Sequence, residues 1–167
     1  MVTKEAIKAD DRFYIDDWNL ERITKRKIIS YRVETIPVGN IWRLIEGKII
    51  PLRETDVYKY LDGDEIARKK YEAYCNSELC QGNDARSVRA YESLISLLRS
   101  EMYDMERGAI FVDQLNIILE GQHRSCILLK EFGPDYRIPV VKVQYEGLYI
   151  RTRLKKIIAY IKYWRVN

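Results

Sequence analysis

Long apolar runs are missing from this chain of 167 residues, and none approaches the roughly 20 positions that a membrane-crossing helix needs. Cysteine is scarce and odd in number. Cys75, Cys80 and Cys126 show no disulfide framework, and no second Cys/His pair accompanies the first two to make a zinc spacing. Met1 to Glu5 have no apolar stretch behind them, so no secretory signal is expected, and the thiols read as those of a reduced, cytoplasmic protein. Internal repeats and low-complexity segments are also lacking. Acid is absent from one region alone. From Gly147 to Asn167 there are six cations (Arg151, Arg153, Lys155, Lys156, Lys162 and Arg165) and no carboxylate, which leaves the rest of a +4 chain at −2.

The length suits one domain with a proper core. Residues 1–25 are mixed and charged and read as an N-terminal arm or short helix. Ile28 to Val38 is rich in β-branched residues and ends at Pro37 and Gly39, as a strand does. Asp62 to Glu65 read as a turn and helix start, with Ala67, Tyr71 and Tyr74 following on one face. Val88, Tyr91, Leu94, Ile95 and Leu98 repeat with helical period. Ile110 to Val112 and Asn116 to Leu119 form two short strands around a turn at Asp113, which has a conformational role. Val141, Val143 and Tyr145 alternate with Lys142 and Gln144 as in a half-buried strand, and Pro139 places its start at an edge or outside the ladder. Leu154, Ile157, Ile158, Ile161 and Trp164 recur at helical spacing, so the basic tail reads as a docked amphipathic helix with a solvated cationic side. The class is α+β, with a small mixed sheet and flanking helices.

Ile117-Ile-Leu-Glu-Gly-Gln-His-Arg-Ser125 holds the only histidine. An apolar strand runs into Gly121, and a helix begins just after it and stops at Gly133-Pro134. Glycine there permits a tight turn that leaves the first helical N–H groups unpaired. Those donors, the helix dipole, the imidazole of His123 and the guanidinium of Arg124 converge on a small volume suited to a phosphate.

This order of elements resembles the ParB/sulfiredoxin-like superfamily, whose members carry an acidic-Gly-x-His/Arg-Arg turn between strand and helix, then an Ile-Pro-Val strand. The matching residues are Leu119 to Ser125 and Ile138-Pro-Val140. Thr35-Ile-Pro-Val38, with Ile41 three residues on, is similar to the opening strand, and Ser87 to Arg99 to the helix before the hairpin. The likeness covers about residues 30–145, and implies a domain over 26–146 followed by a basic helix over 147–167. One scaffold can host several chemistries.

The resemblance implies phosphate and nucleotide contacts from Gly121, Gln122, His123, Arg124 and Ser125, with Ser87 and Arg86 as further candidates at a second helix start and Arg89 one turn on. Sulfiredoxins place their cysteine where this chain has Gln122, which cannot attack, so that activity is disfavoured. Cys126 reads as a buried structural thiol. Partition proteins have arginine in place of His123 and continue into a helix-turn-helix segment, for which the 22 residues after Tyr145 are too few. ParB-like small-molecule kinases, including free-serine kinases, are the nearest functional likeness. They imply ATP or ADP (CTP as a third candidate), Mg²⁺ held by Glu120, and His123, Glu120 and Glu46 or Glu54 as catalytic groups. The substrate expected is a small hydroxylated metabolite. The alternative is a non-catalytic nucleotide- or DNA-binding module using the basic tail, with nuclease activity placed last. Tyr58, Tyr60, Tyr71 and Tyr74 are aromatic surface for a homodimer partner.

Overall fold

A computed structural model describes residues 2–77, 87–147 and 150–164. Thirteen elements of regular structure, with intervening single 3₁₀ turns, are described: α1 (Lys4–Lys8), α2 (Asp17–Thr24), β1 (Ile28–Pro37), β2 (Trp42–Ile45), β3 (Lys48–Pro51), α3 (Asp56–Leu61), α4 (Glu65–Cys75), α5 (Val88–Ser100), β4 (Phe111–Asp113), β5 (Ile118–Glu120), α6 (Gln122–Phe132), β6 (Arg137–Tyr145) and α7 (Ile150–Trp164). A four-stranded mixed sheet runs in the order β1-β6-β4-β5, and β2 and β3 form a separate hairpin. β6 is antiparallel to β1 and parallel to β4, while β4 and β5 are antiparallel.

Strand alternation divides the core in two. Ile138, Val140 and Val112 face one side with Cys126, Ile127 and Leu128 of α6 and Tyr91 and Leu98 of α5. Val141, Val143 and Phe111 face the other side, against Ile7, Phe13, Leu20 and Ile23. The first 25 residues are therefore not an arm. Their described part forms α1 and α2, covers one whole face of the sheet, and is tied down by Tyr14 N–H donating to Met105 O (2.9 Å) and Ala109 N–H to Tyr14 O (3.0 Å). The mixed, charged composition hid four well-spaced apolar anchors.

β6 starts outside the ladder with β4, one of the two places its proline allowed. It is an inner strand, with Pro139 paired to Thr35. Val141 N–H donates across to Ile110 O at 2.9 Å, so the nitrogen of Pro139, two residues earlier, faces the same way. Pairing with β4 begins only at Val141, so no ladder bond is lost at the proline. On α6, Ser125 to Leu128 are buried, whereas Phe132 is exposed and stacks on Tyr136 at 4.6 Å.

α7 docks on the β2–β3 hairpin through Ala159 and Tyr163, beside Trp42, Ile49 and Ile117. Lys155 Nζ donates to Gly47 O (2.9 Å), and Lys156 Nζ to Leu115 O. The tail is a docked helix as expected, but apolar side chains share its outer side with the cations. No helix among the described residues is long and apolar enough to cross a membrane.

Candidate functional site

The strand-to-helix turn forms as the sequence reading anticipates. Gly121 caps α6 in the left-handed conformation (φ 85°), and a Cβ there would lie 2.8 Å from Ile110 Cγ1 and 3.0 Å from Ile110 Cα. Glycine is thus needed both for its backbone angle and for close packing on Ile110. No side chain caps α6, so its leading amides are left as donors.

These amides open onto a cleft of about 980 Å³ whose lining includes Glu120, Gly121, Gln122, His123 and Arg124. Two arginines that carry no local signal complete it, Arg22 from α2 and Arg43 from β2. Arg22 Nη2 donates to Asn19 Oδ1 (3.0 Å), to Glu120 Oε2 (3.0 Å) and to Leu119 O, and its guanidinium lies 5.5 Å from the Trp18 ring. Its Nε is buried with no hydrogen-bond partner. Arg43 Nε is likewise buried and unpartnered. Burial, then repulsion from Arg22, pulls the Arg43 pKa below its ordinary value, and the nearby Glu120 opposes this.

Two carboxylates face these three arginines, and both are engaged. Asp16 accepts from Asn19 N–H (2.8 Å) and Asn19 Nδ2 (2.7 Å) as the cap of α2, and Glu120 is paired to Arg22. The cleft is cationic by excess. Buried unpaired donors are costly to leave unsatisfied, and an anion is the ligand that would satisfy them.

His123 sits deeper than a surface turn would place it. Its Nε2 lies 2.9 Å from Tyr71 Oη, and the rings of Tyr91 and Tyr71 meet it edge-on at 4.8 and 5.6 Å. Burial foremost, then Arg124 and Arg43, push its pKa down to about 4. The imidazole is therefore neutral near pH 7 and acts in the cleft as a hydrogen-bonding group. With Tyr71 Oη as donor, Nε2 accepts and the ring keeps Nδ1–H as its remaining donor.

A consequence is measurable. The folded pKa lies below the unfolded value of 6.5, so the stability tied to neutral His123 is complete above pH 6.5 and is lost as pH falls towards 4. Urea titrations should show a slope approaching 1.4 kcal/mol per pH unit in that window, which His123→Gln flattens. The single imidazole is also directly visible by NMR, and titration near 6.5 would contradict its burial.

The other sequence candidates fall in different places. Arg124 donates weakly to Arg107 O (3.5 Å) and lies across Gly108, where a Cβ would overlap its guanidinium. Ser125 is fully buried, its hydroxyl donating to Gly121 O at 2.9 Å, so it braces the turn instead of facing the cleft. Glu46 occupies the exposed β2–β3 turn with φ 49°, outside the cleft lining, and Glu54 pairs with Lys59 at 3.3 Å. Neither is placed as a general base. Ser87 caps α5 by accepting from Ala90 N–H at 3.0 Å, Arg89 is exposed, and Arg86 and Cys80 lie outside the described residues.

Cys126 is fully buried, its thiol pushed up to about 12 by desolvation, consistent with a structural role. Asp113 accepts from Leu115 N–H (2.8 Å) and Ile117 N–H (2.9 Å) to hold the hairpin turn. Of the four tyrosines expected on the surface, Tyr74 is exposed, whereas Tyr71 is buried and packs ring to ring with Tyr60 and with Tyr91 at 5.3 and 5.2 Å.

Glu120 does not fit a resident divalent cation, because its Oε2 already accepts from Arg22 and Arg43 stands close by. No group of three or more His, Cys, Asp or Glu able to hold a metal occurs among the described residues. Comparisons with protein-family models, curated proteins and solved structures returned no match to the chain.

Proposed function

We propose that the cleft binds a nucleotide through its phosphates, and that the protein is a ParB-like phosphotransferase acting on a small hydroxylated molecule. The observation that carries this reading is the pair of buried, unpartnered Nε–H groups on Arg22 and Arg43, beside the uncapped start of α6. Three guanidinium groups and backbone amides offer the planar and convergent donors that phosphate oxygens take. A cleft of about 980 Å³ is large enough for a nucleotide with a second small molecule.

In this reading the leading amides of α6, with Arg22, Arg43 and Arg124, hold the phosphates and stabilise charge that develops during transfer. Glu120 accepts the proton of the acceptor hydroxyl once the incoming phosphate competes for Arg22. Mg²⁺ would arrive with the nucleotide.

The second reading is a non-catalytic nucleotide-binding module, favoured by the Arg22–Glu120 ion pair, which keeps the cleft's candidate base occupied. Calorimetric titration of ATP, ADP and CTP with Mg²⁺ separates binding from no function at this site. Saturable binding below about 1 mM is expected, weakened roughly ten-fold by Arg124→Ala. Absence of heat at millimolar nucleotide would refute both readings. Phosphorus NMR with a panel of hydroxylated metabolites then separates them: transfer lost in Glu120→Gln with binding retained supports the kinase, and binding without transfer supports the module.

A further inference from the structure

α7 is amphipathic twice over. One side docks on the β2–β3 hairpin through Ala159 and Tyr163, and the opposite side carries Leu154, Ile157, Ile158 and Ile161 into solvent. These four lie at positions i, i+3, i+4 and i+7 and form one stripe along two turns. They are 54%, 57%, 66% and 49% exposed, well above what a single stray surface isoleucine needs to have explained.

The flanks of the stripe decide what covers it. At 100° per residue, Lys155 and Lys162 fall on one side of the stripe and Arg153 on the other, all exposed. No Asp or Glu occurs between Gly147 and Asn167. A second copy docking by this stripe would bring cation rows against cation rows, with no acid on the helix to relieve them. A nucleic acid would use the cations and gain nothing from four central aliphatic side chains. An anionic bilayer surface accepts both, because acyl chains take the stripe while headgroup phosphates and carboxylates take the flanks.

We propose that α7 is an interfacial helix that holds the protein on anionic lipid, lying in the plane of the surface with its docked side towards the hairpin. The face needs no folding on arrival, since Lys155 on Gly47 O and Tyr163 against Trp42 already hold the helix against the domain. Ordering entropy that an unstructured basic segment would lose on binding is already spent in folding.

The test uses the full chain and co-sedimentation with vesicles of phosphatidylcholine, alone or mixed with phosphatidylserine. Binding to the mixed vesicles at least about ten-fold stronger than to phosphatidylcholine, and weakened by salt, is expected. Ile157→Ser/Ile158→Ser should lower it by about ten-fold or more, and Arg153→Glu/Lys162→Glu should do the same with a shallower salt dependence. All four positions are exposed, and far-ultraviolet circular dichroism with an unchanged melting curve checks that the fold is kept. Failure of wild type to sediment with phosphatidylserine vesicles overturns the proposal. So does undiminished sedimentation of the serine variant, or light scattering that shows wild type as a dimer which the serine substitutions dissociate.

Discussion

Gly121→Ala should destabilise the protein by about 2–5 kcal/mol, and Gly133→Ala by about 1–3 kcal/mol, for different reasons although both glycines have nearly the same φ. The two flank the same helix, at φ 85° and 84°. At Gly133 a methyl group meets nothing within 4 Å, but its ψ of 171° lies outside the left-handed helical region, in a conformation that side chains other than glycine's rarely adopt, so the cost there is the backbone's alone. At Gly121 the methyl group also meets Ile110, and one of the atoms it strikes is backbone, which has no rotamer to escape into. Ile110 is fully buried and its carbonyl accepts from Val141 N–H, so its displacement would reach the inner strand of the sheet. Urea midpoints of the two variants provide the comparison. A loss at Gly121 of no more than about 1–2 kcal/mol, the left-handed penalty alone, would show that the Ile110 contact relaxes freely.

Arg43→Met should abolish phosphate binding and leave the unliganded protein as stable as wild type or more so, by up to about 2 kcal/mol. Its Nε is buried without a partner in a half-buried side chain, and removing that unsatisfied donor relieves a desolvation cost while methionine keeps most of the packing volume. The measurement is the melting temperature with and without millimolar nucleotide. Wild type should be stabilised by ligand, and the variant should show no ligand-induced shift. A variant that is destabilised and still responds to nucleotide would show that Arg43 serves the fold and not the cleft.

Much of the architecture can be read from local pattern. The β5–Gly121–α6 turn, the helical stop at Gly133-Pro134, the α5 face and the alternation of Val141, Val143 and Tyr145 each express a rule that acts within a few residues. The cleft is less legible, for a physical reason. Arg22 and Arg43 become partners of residue 120 only through packing of α2 and of the β2–β3 hairpin, and nothing in their immediate neighbours distinguishes them from solvated arginines. Tyr71 and Tyr91 are recognisable as core residues by period, but enclosing His123 is a tertiary event that joins α4, α5 and α6. Pro139 is tolerated in an inner strand because β4, the neighbour on that side, is three residues long and pairs only from Val141. Glu46 misleads because a likeness of motif specifies the type of residue wanted and not where this chain has folded it.

The place of β6 between β1 and β4 sets a condition on biosynthesis. Ser30 meets Gln144 across the sheet, 114 positions later in the chain. A polypeptide emerging from the ribosome can close the β2–β3 and β4–β5 hairpins early, but β1 has no neighbour in the sheet until nearly the whole sequence is out. Until then its ten-residue backbone edge is open to other chains, and closing so wide a loop is slow. Translation rate and chaperone supply should therefore govern its yield more strongly than equilibrium stability does.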